Sequence, residues 1–176
     1  MDAAIQKPNI QYSVQPAEHD YYIHNKSDLI TVARAIHWFR FDNFYAAVKR
    51  TLLPGSIFAE QGYGLVQTVK PLQEVIDHFY TKTIGLYWDT ERHYIDEAYQ
   101  TIPFPFEEIT IPIFQMTYQW CFEQLVGYIG TWSAVKPCSK HNEISPIGLL
   151  EIDLKKIWGD VAAMSFSFPV FLRIGR

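Results

Sequence analysis

His37 and Trp38 stand side by side in the stretch DLITVARAIHWFRFDNFYAAVKRTLLPG, which runs from Asp28 to Gly55. Imidazole titrates near neutral pH, so a histidine held at a ligand site can accept or donate a proton there. Place gives the pair its weight. Asp28–Ala33 is a continuous apolar and β-branched run, the pattern of a strand covered on both faces in a parallel sheet. Ligands of open α/β sheets bind beyond the carboxyl ends of the strands, where Arg34, Ala35, His37 and Trp38 follow. Position alone does not separate chemistry from loop packing for this pair.

The elements that must hold the pair are readable on either side. Asp42 is a candidate N-cap, and Phe44, Tyr45, Val48 and Leu52 recur at helical spacing until Pro54-Gly55. Ser56–Tyr63 reads as the next strand, so strand, helix and strand form a βαβ unit. Leu72, Val75, Ile76 and Phe79 mark a second helix, with Pro71 in its first turn. Residues 85–108 are rich in aromatics and proline with poor periodicity, which suggests an insertion or lid over the sheet. Glu108–Met116 alternates, and Pro112 places that strand at an edge. A helix through Phe122, Leu125, Val126 and Ile129 follows. Residues 136–148 read as a loop, and Leu149, Leu150, Leu154, Ile157 and Trp158 as a last helix. The alternation from Met164 to Ile174 predicts a long strand with one buried face, with Pro169 near an edge or a bulge. Asn9–Val14 reads as a short strand. The 176 residues, 1–176, form one domain on this reading.

Composition removes several classes of function. A net charge of -4 with scattered Lys and Arg leaves no footprint for nucleic acid. No apolar run is long enough to span a membrane, and the first residues carry no apolar signal core. Two cysteines make neither a disulfide framework nor a zinc cluster. A reduced, cytoplasmic protein with no metal site is expected. The 16% of aromatic residues fill a core or line an apolar cleft.

SDLITVARAIHWF followed by FYAAVKRTLLPG resembles the fourth strand and next helix of class I S-adenosylmethionine-dependent methyltransferases, in the group with trans-aconitate methyltransferase-like enzymes. PNIQYSVQPAE resembles that family's third strand and the acidic loop after it. EQLVGYIGTWSAV and FPVFLRIGR resemble its late helix and closing strand. The resemblance implies a Rossmann-like α/β fold, mostly parallel, with an antiparallel C-terminal strand. It implies methyl transfer from S-adenosylmethionine to a small-molecule acceptor. It places Ala17 and Glu18 beside the adenine and Arg34, Ala35 and Trp38 around the methionine and methyl end. It makes His37 the candidate base, and Tyr63, Tyr87, Trp88, Arg92 and Trp132 the acceptor cleft. The Trp38 face would favour a sulfonium cation.

The family also carries a Gly-rich loop after its first strand and an acidic residue after its second. No glycine precedes Gly55 here. Gly62-x-Gly64 follows the wrong strand and reads as chance. The expected fold is therefore an N-terminally truncated version of the family's. In the family the third, second and first strands lie on one side of the fourth, and the fifth, seventh and sixth on the other. Without the first two, the strand at Asp28–Ala33 has an open edge. That predicts a homo-oligomer or a partner covering the edge. The alternative function is a degenerate, non-catalytic methyltransferase fold acting through binding or oligomerisation.

Overall fold

A computed structural model describes residues 5–19 and 27–176. Four strands form one sheet: β1 (Ser27–Ala33), β2 (Leu52–Tyr63), β3 (Phe114–Trp120) and β4 (Met164–Gly175). Their order is β1-β2-β4-β3. β1 and β2 are parallel, whereas β4 runs antiparallel to both of its neighbours. This is the order the resemblance implies for the fourth, fifth, seventh and sixth strands, with the C-terminal strand reversed. The helices are α1 (Phe41–Thr51), α2 (Lys70–His78), α3 (Arg92–Asp96), α4 (Phe122–Gly130), α5 (Val135–Asn142) and α6 (Pro146–Trp158).

The side chains pack into two cores. Phe44, Tyr45 and Val48 of α1 meet Val32, Phe58, Ile95 and Tyr99 in one. Leu72 and Ile76 of α2, Leu125 and Ile129 of α4, Leu150 and Leu154 of α6, and Phe166 and Phe168 of β4 build the other. Residues 85–108 supply the first core: Ile95, Tyr99 and Ile102 are buried, and Phe106 stacks on Phe58 with centroids 5.0 Å apart.

Several sequence expectations are corrected. Asn9–Val14 forms no strand and is exposed; a strand needs a ladder partner, and none of the described strands pairs with it. Among the described residues β1 is an edge, and it is not covered on both faces: Ile30 and Val32 pack against the first core while Leu29 is 56% exposed. α1 starts at Phe41, with Asp42 in its first turn, and it ends at Thr51. Pro54-Gly55 lies inside β2 and stops no helix. The loop expected at 136–148 contains α5, which ends on Glu143 in the left-handed region at φ 57°. The strand expected from Glu108 starts at Phe114, and it does lie at the edge. β4 is interior and covered on both faces, Phe166 and Phe168 on one side and Phe171 on the other. Pro169 lies where the β2–β4 ladder is interrupted: its carbonyl accepts from Gly64 N at 2.9 Å, the return bond that a proline cannot donate is missing, and pairing resumes at Gln67 and Ser167. Gly62 has a packing reason. A Cβ there would lie 2.2 Å from the Phe171 ring.

Candidate functional site

The carboxyl ends of β1 and β2 lie together because the strands are parallel, with Ala33 opposite Gln61. Arg34 leaves the ladder in the left-handed region at φ 55°, its N–H still bonded to the Gln61 carbonyl at 2.9 Å. The strained residue turns the chain into a short 3₁₀ turn, Ile36–Trp38. Ile36 is fully buried and anchors the turn. The turn then holds His37 inward, 5% exposed, and Trp38 outward, 54% exposed.

A cavity of about 240 Å³ opens between the two cores at this point. Arg34, His37, Trp38, Tyr63, Trp88, Arg92 and Trp132 all line it. The C-terminal end of α4 supplies Tyr128, Thr131 and Ser133 beside Trp132, and Asp89 faces them. Ser133 Oγ donates to Asp89 at 3.4 Å. Trp88, Tyr80 and Trp132 form a mutually packed aromatic wall, with centroid separations of 4.9, 5.7 and 5.9 Å.

Both arginines are partly held. Arg34 Nη1 donates to the Tyr63 carbonyl at 2.6 Å, and its guanidinium lies 4.1 Å over the Tyr63 ring. Arg92 Nε donates to Tyr80 Oη at 2.9 Å and pairs with Asp96 at 3.4 Å, its guanidinium 4.6 Å over Trp88. The terminal amino groups of Arg92 and Nη2 of Arg34 have no hydrogen-bond partner among the described residues. Stacked guanidiniums keep their fork of donors aimed and available.

His37 Nδ1 lies 3.0 Å from Tyr99 Oη. Burial, reinforced by the charges of Arg34 and Arg92 and opposed by Glu91, lowers the His37 pKa to about 4. The imidazole is therefore neutral at neutral pH and a weak base. The residue sequence reasoning missed is Tyr99. It stands 62 positions away in a stretch without periodicity, so only the fold brings it to His37. Tyr128, Thr131 and Ser133 lie within EQLVGYIGTWSAV and Asp89 within residues 85–108, but nothing in the sequence singled them out as site residues.

Four expected residues lie elsewhere. Tyr87 turns toward α5, where its hydroxyl meets His141 Nδ1 at 3.1 Å and accepts from Asn142 at 3.0 Å. Ala17 and Ala35 line a separate groove of about 440 Å³ along β1 and α1, with Leu29, Phe39 and Phe44. Glu18 accepts from Arg40 N at 3.0 Å at the start of α1, a bond that holds its carboxyl below the usual range. Among the described residues, no group of three His, Cys, Asp or Glu is arranged to hold a metal ion.

A nucleoside cofactor meets a partial fit. The groove beside Ala17, Ala35 and Phe39 is apolar enough for a flat heterocycle, and the Arg34–Trp38 turn separates it from the cavity. No glycine-rich loop before β1 is present in this sequence to cradle the remainder.

No family model matches the sequence. A protein of Dictyostelium discoideum named as a methyltransferase is 30% identical over 175 residues, covering 96% of this chain. The chain spans 66% of that relative's length. A solved structure described as a type II methyltransferase from Anaeromyxobacter dehalogenans superposes with a TM-score of 0.90 at 31% identity, over 100% of this chain and 75% of the other.

Proposed function

The chain belongs to the class I methyltransferases, and on that premise we propose that it serves methyl transfer from S-adenosylmethionine to a small-molecule acceptor seated in the cavity between Trp38 and Trp132. The observation that carries this reading is the position of the cavity. It opens beyond the carboxyl ends of β1 and β2, with His37-Trp38 on one wall and Thr131-Trp132-Ser133 on the other.

Bound S-adenosylmethionine supplies an electrophilic methyl group on a sulfonium. Ala17 and Glu18 are the residues on this chain that would approach its adenosine end, and the Arg34–Trp38 turn, Ala35 included, its methionine and methyl end. The chain's own contribution is positional. Trp88, Trp132 and Tyr128 exclude water from the acceptor side, and Arg34 and Arg92 orient an acceptor with their free amino groups. The exposed indole of Trp38 offers a π face at the mouth, where a cation gains about 0.5–2 kcal/mol.

Calorimetric titration of the intact chain with S-adenosylmethionine tests the reading, with the mass in solution measured in the same sample. Saturable binding supports it, and its loss in Trp38→Ala would tie the cofactor to this turn. A folded chain that takes up no S-adenosylmethionine at millimolar concentration overturns independent catalysis and leaves a binding role for the fold.

A further inference from the structure

Tyr99 is held more firmly than a core aromatic requires. Ala98 and Tyr99 both lie in the left-handed region, at φ 51° and 61°, which is unfavourable for non-glycine residues. The turn is clamped in return. Tyr99 N donates to the Tyr94 carbonyl at 2.7 Å, and Arg173 Nη1 donates to the carbonyls of Tyr99 and Ile102 at 3.0 and 2.9 Å. Glu60 and Glu108 hold that guanidinium at 3.3 and 3.1 Å. The ring is fully buried, edge-on to Phe171 at 4.8 Å, and its hydroxyl ends on His37 Nδ1.

The His37–Tyr99 bond holds one proton between two atoms, and its direction decides what the imidazole offers the cavity. If Nδ1–H donated, the phenolic proton would need another acceptor. Tyr99 Oη has no other hydrogen-bond partner among the described residues. A buried hydroxyl proton left without an acceptor is unfavourable. If the phenol donates to Nδ1, both atoms of the bond are satisfied, and Nε2 carries the remaining hydrogen. Because Nδ1 is taken by Tyr99, Nε2 is the ring nitrogen left for a ligand. Burial also pushes the phenol up to about 12, so it keeps its proton.

We propose that Tyr99 is a positioning residue that fixes His37 as its Nε2–H tautomer, and that this N–H joins Arg34 and Arg92 in binding an acceptor through an anionic oxygen. The three donors stand against one cavity-lining carboxylate, Asp89, which is already engaged by Ser133. An oxygen that arrives ionised needs no base. This matches a site whose histidine is a donor, and it deepens the reading above by naming the acceptor's chemistry.

The test uses the intact chain without cofactor, so it can fail separately from S-adenosylmethionine binding. Long-range proton–nitrogen correlation on histidine-labelled protein at neutral pH should show His37 with hydrogen on Nε2 and a bare, hydrogen-bonded Nδ1. Tyr99→Phe, which cannot donate, should return it to a mixture of tautomers. A hydrogen on Nδ1 in the unsubstituted chain overturns the proposal. Succinate, titrated against its neutral analogue succinamide, probes the anion site. Succinate should bind at least about tenfold more tightly than succinamide, and Arg92→Gln should remove most of that preference. His37→Gln, which retains a side-chain N–H donor, should keep succinate affinity within a few-fold, whereas His37→Leu should lose about tenfold. Equal binding of succinate and succinamide, or no binding of either, overturns the assignment. So does a glutamine variant as weak as the leucine variant.

Discussion

Ile36 and Trp38 occupy one turn and do opposite work. Ile36 is fully buried, so Ile36→Ala removes a packed side chain and should lower stability by about 2–5 kcal/mol. Trp38 is 54% exposed, and Trp38→Ala should cost less than about 1 kcal/mol while weakening ligand binding. Denaturant unfolding of the two variants checks the contrast; equal losses would mean that Trp38 is part of the core. Two buried groups set opposed pH dependences. His37 has its pKa lowered to about 4, so between about 6.5 and 4 the unfolded chain takes up a proton that the folded chain refuses. Stability on its account falls as pH drops through that window. Glu60 is fully buried and, chiefly through burial, has its pKa raised to about 7 despite donors from Tyr45 and Arg173. Its share of stability is present below about 4.5 and is lost as pH rises toward 7. Glu60→Gln should therefore steepen the rise of stability from acid to neutral pH, and unfolding free energies across that range measure the slope. His37 and Trp38 were legible because adjacent residues past a strong strand need no tertiary information. Tyr99 and the Glu60–Arg173 pair were not, because contacts across 62 and 113 positions exist only once the sheet is assembled.

At the scale of elements, hydrophobic periodicity identified the strands and helices that pack on a core and failed where backbone conformation decides. α2 and α6 were readable from buried residues at helical spacing, Leu72 and Ile76 in one, and Leu150, Leu154 and Trp158 in the other. α5 was not. Its sequence VKPCSKHN buries only Val135 and Cys138, too few to show a period. It also lacks a glycine at its end and places Glu143 in the left-handed region instead. Glu143→Gly should relieve that conformation and raise stability by about 0.5–1 kcal/mol, read as a shift in the denaturant midpoint with unchanged slope. A loss of stability would mean that Glu143 makes a compensating contact. Gly175 gives the opposite case. A Cβ there would lie 2.6 Å from Phe106 Cβ and 3.1 Å from the Glu107 carbonyl. Gly175→Ala should therefore cost about 1–3 kcal/mol by forcing apart the end of β4 and the segment before β3.

The whole molecule was legible in its order and illegible in its completion. The likeness of the His-Trp stretch and the closing strand to one family implied which strands neighbour which, and the sheet follows that order. What covers β1 could not be read, because an edge is a property of neighbours. Among the described residues β1 pairs with β2 alone, and its other side carries open backbone groups beside a groove lined by Leu29, Thr31, Ala33 and Phe39. A parallel edge with an apolar flank is a template for another strand. The chain on its own should accordingly self-associate as its concentration rises, through β1. Leu29→Lys places a charge on that edge from a side chain that is already 56% exposed, so the fold should bear it. Light scattering over a concentration series should show the unsubstituted chain growing in mass and the lysine variant remaining a monomer. Identical behaviour of the two would place any association elsewhere on the surface. A monomer in both would mean that β1 is already covered within the protein.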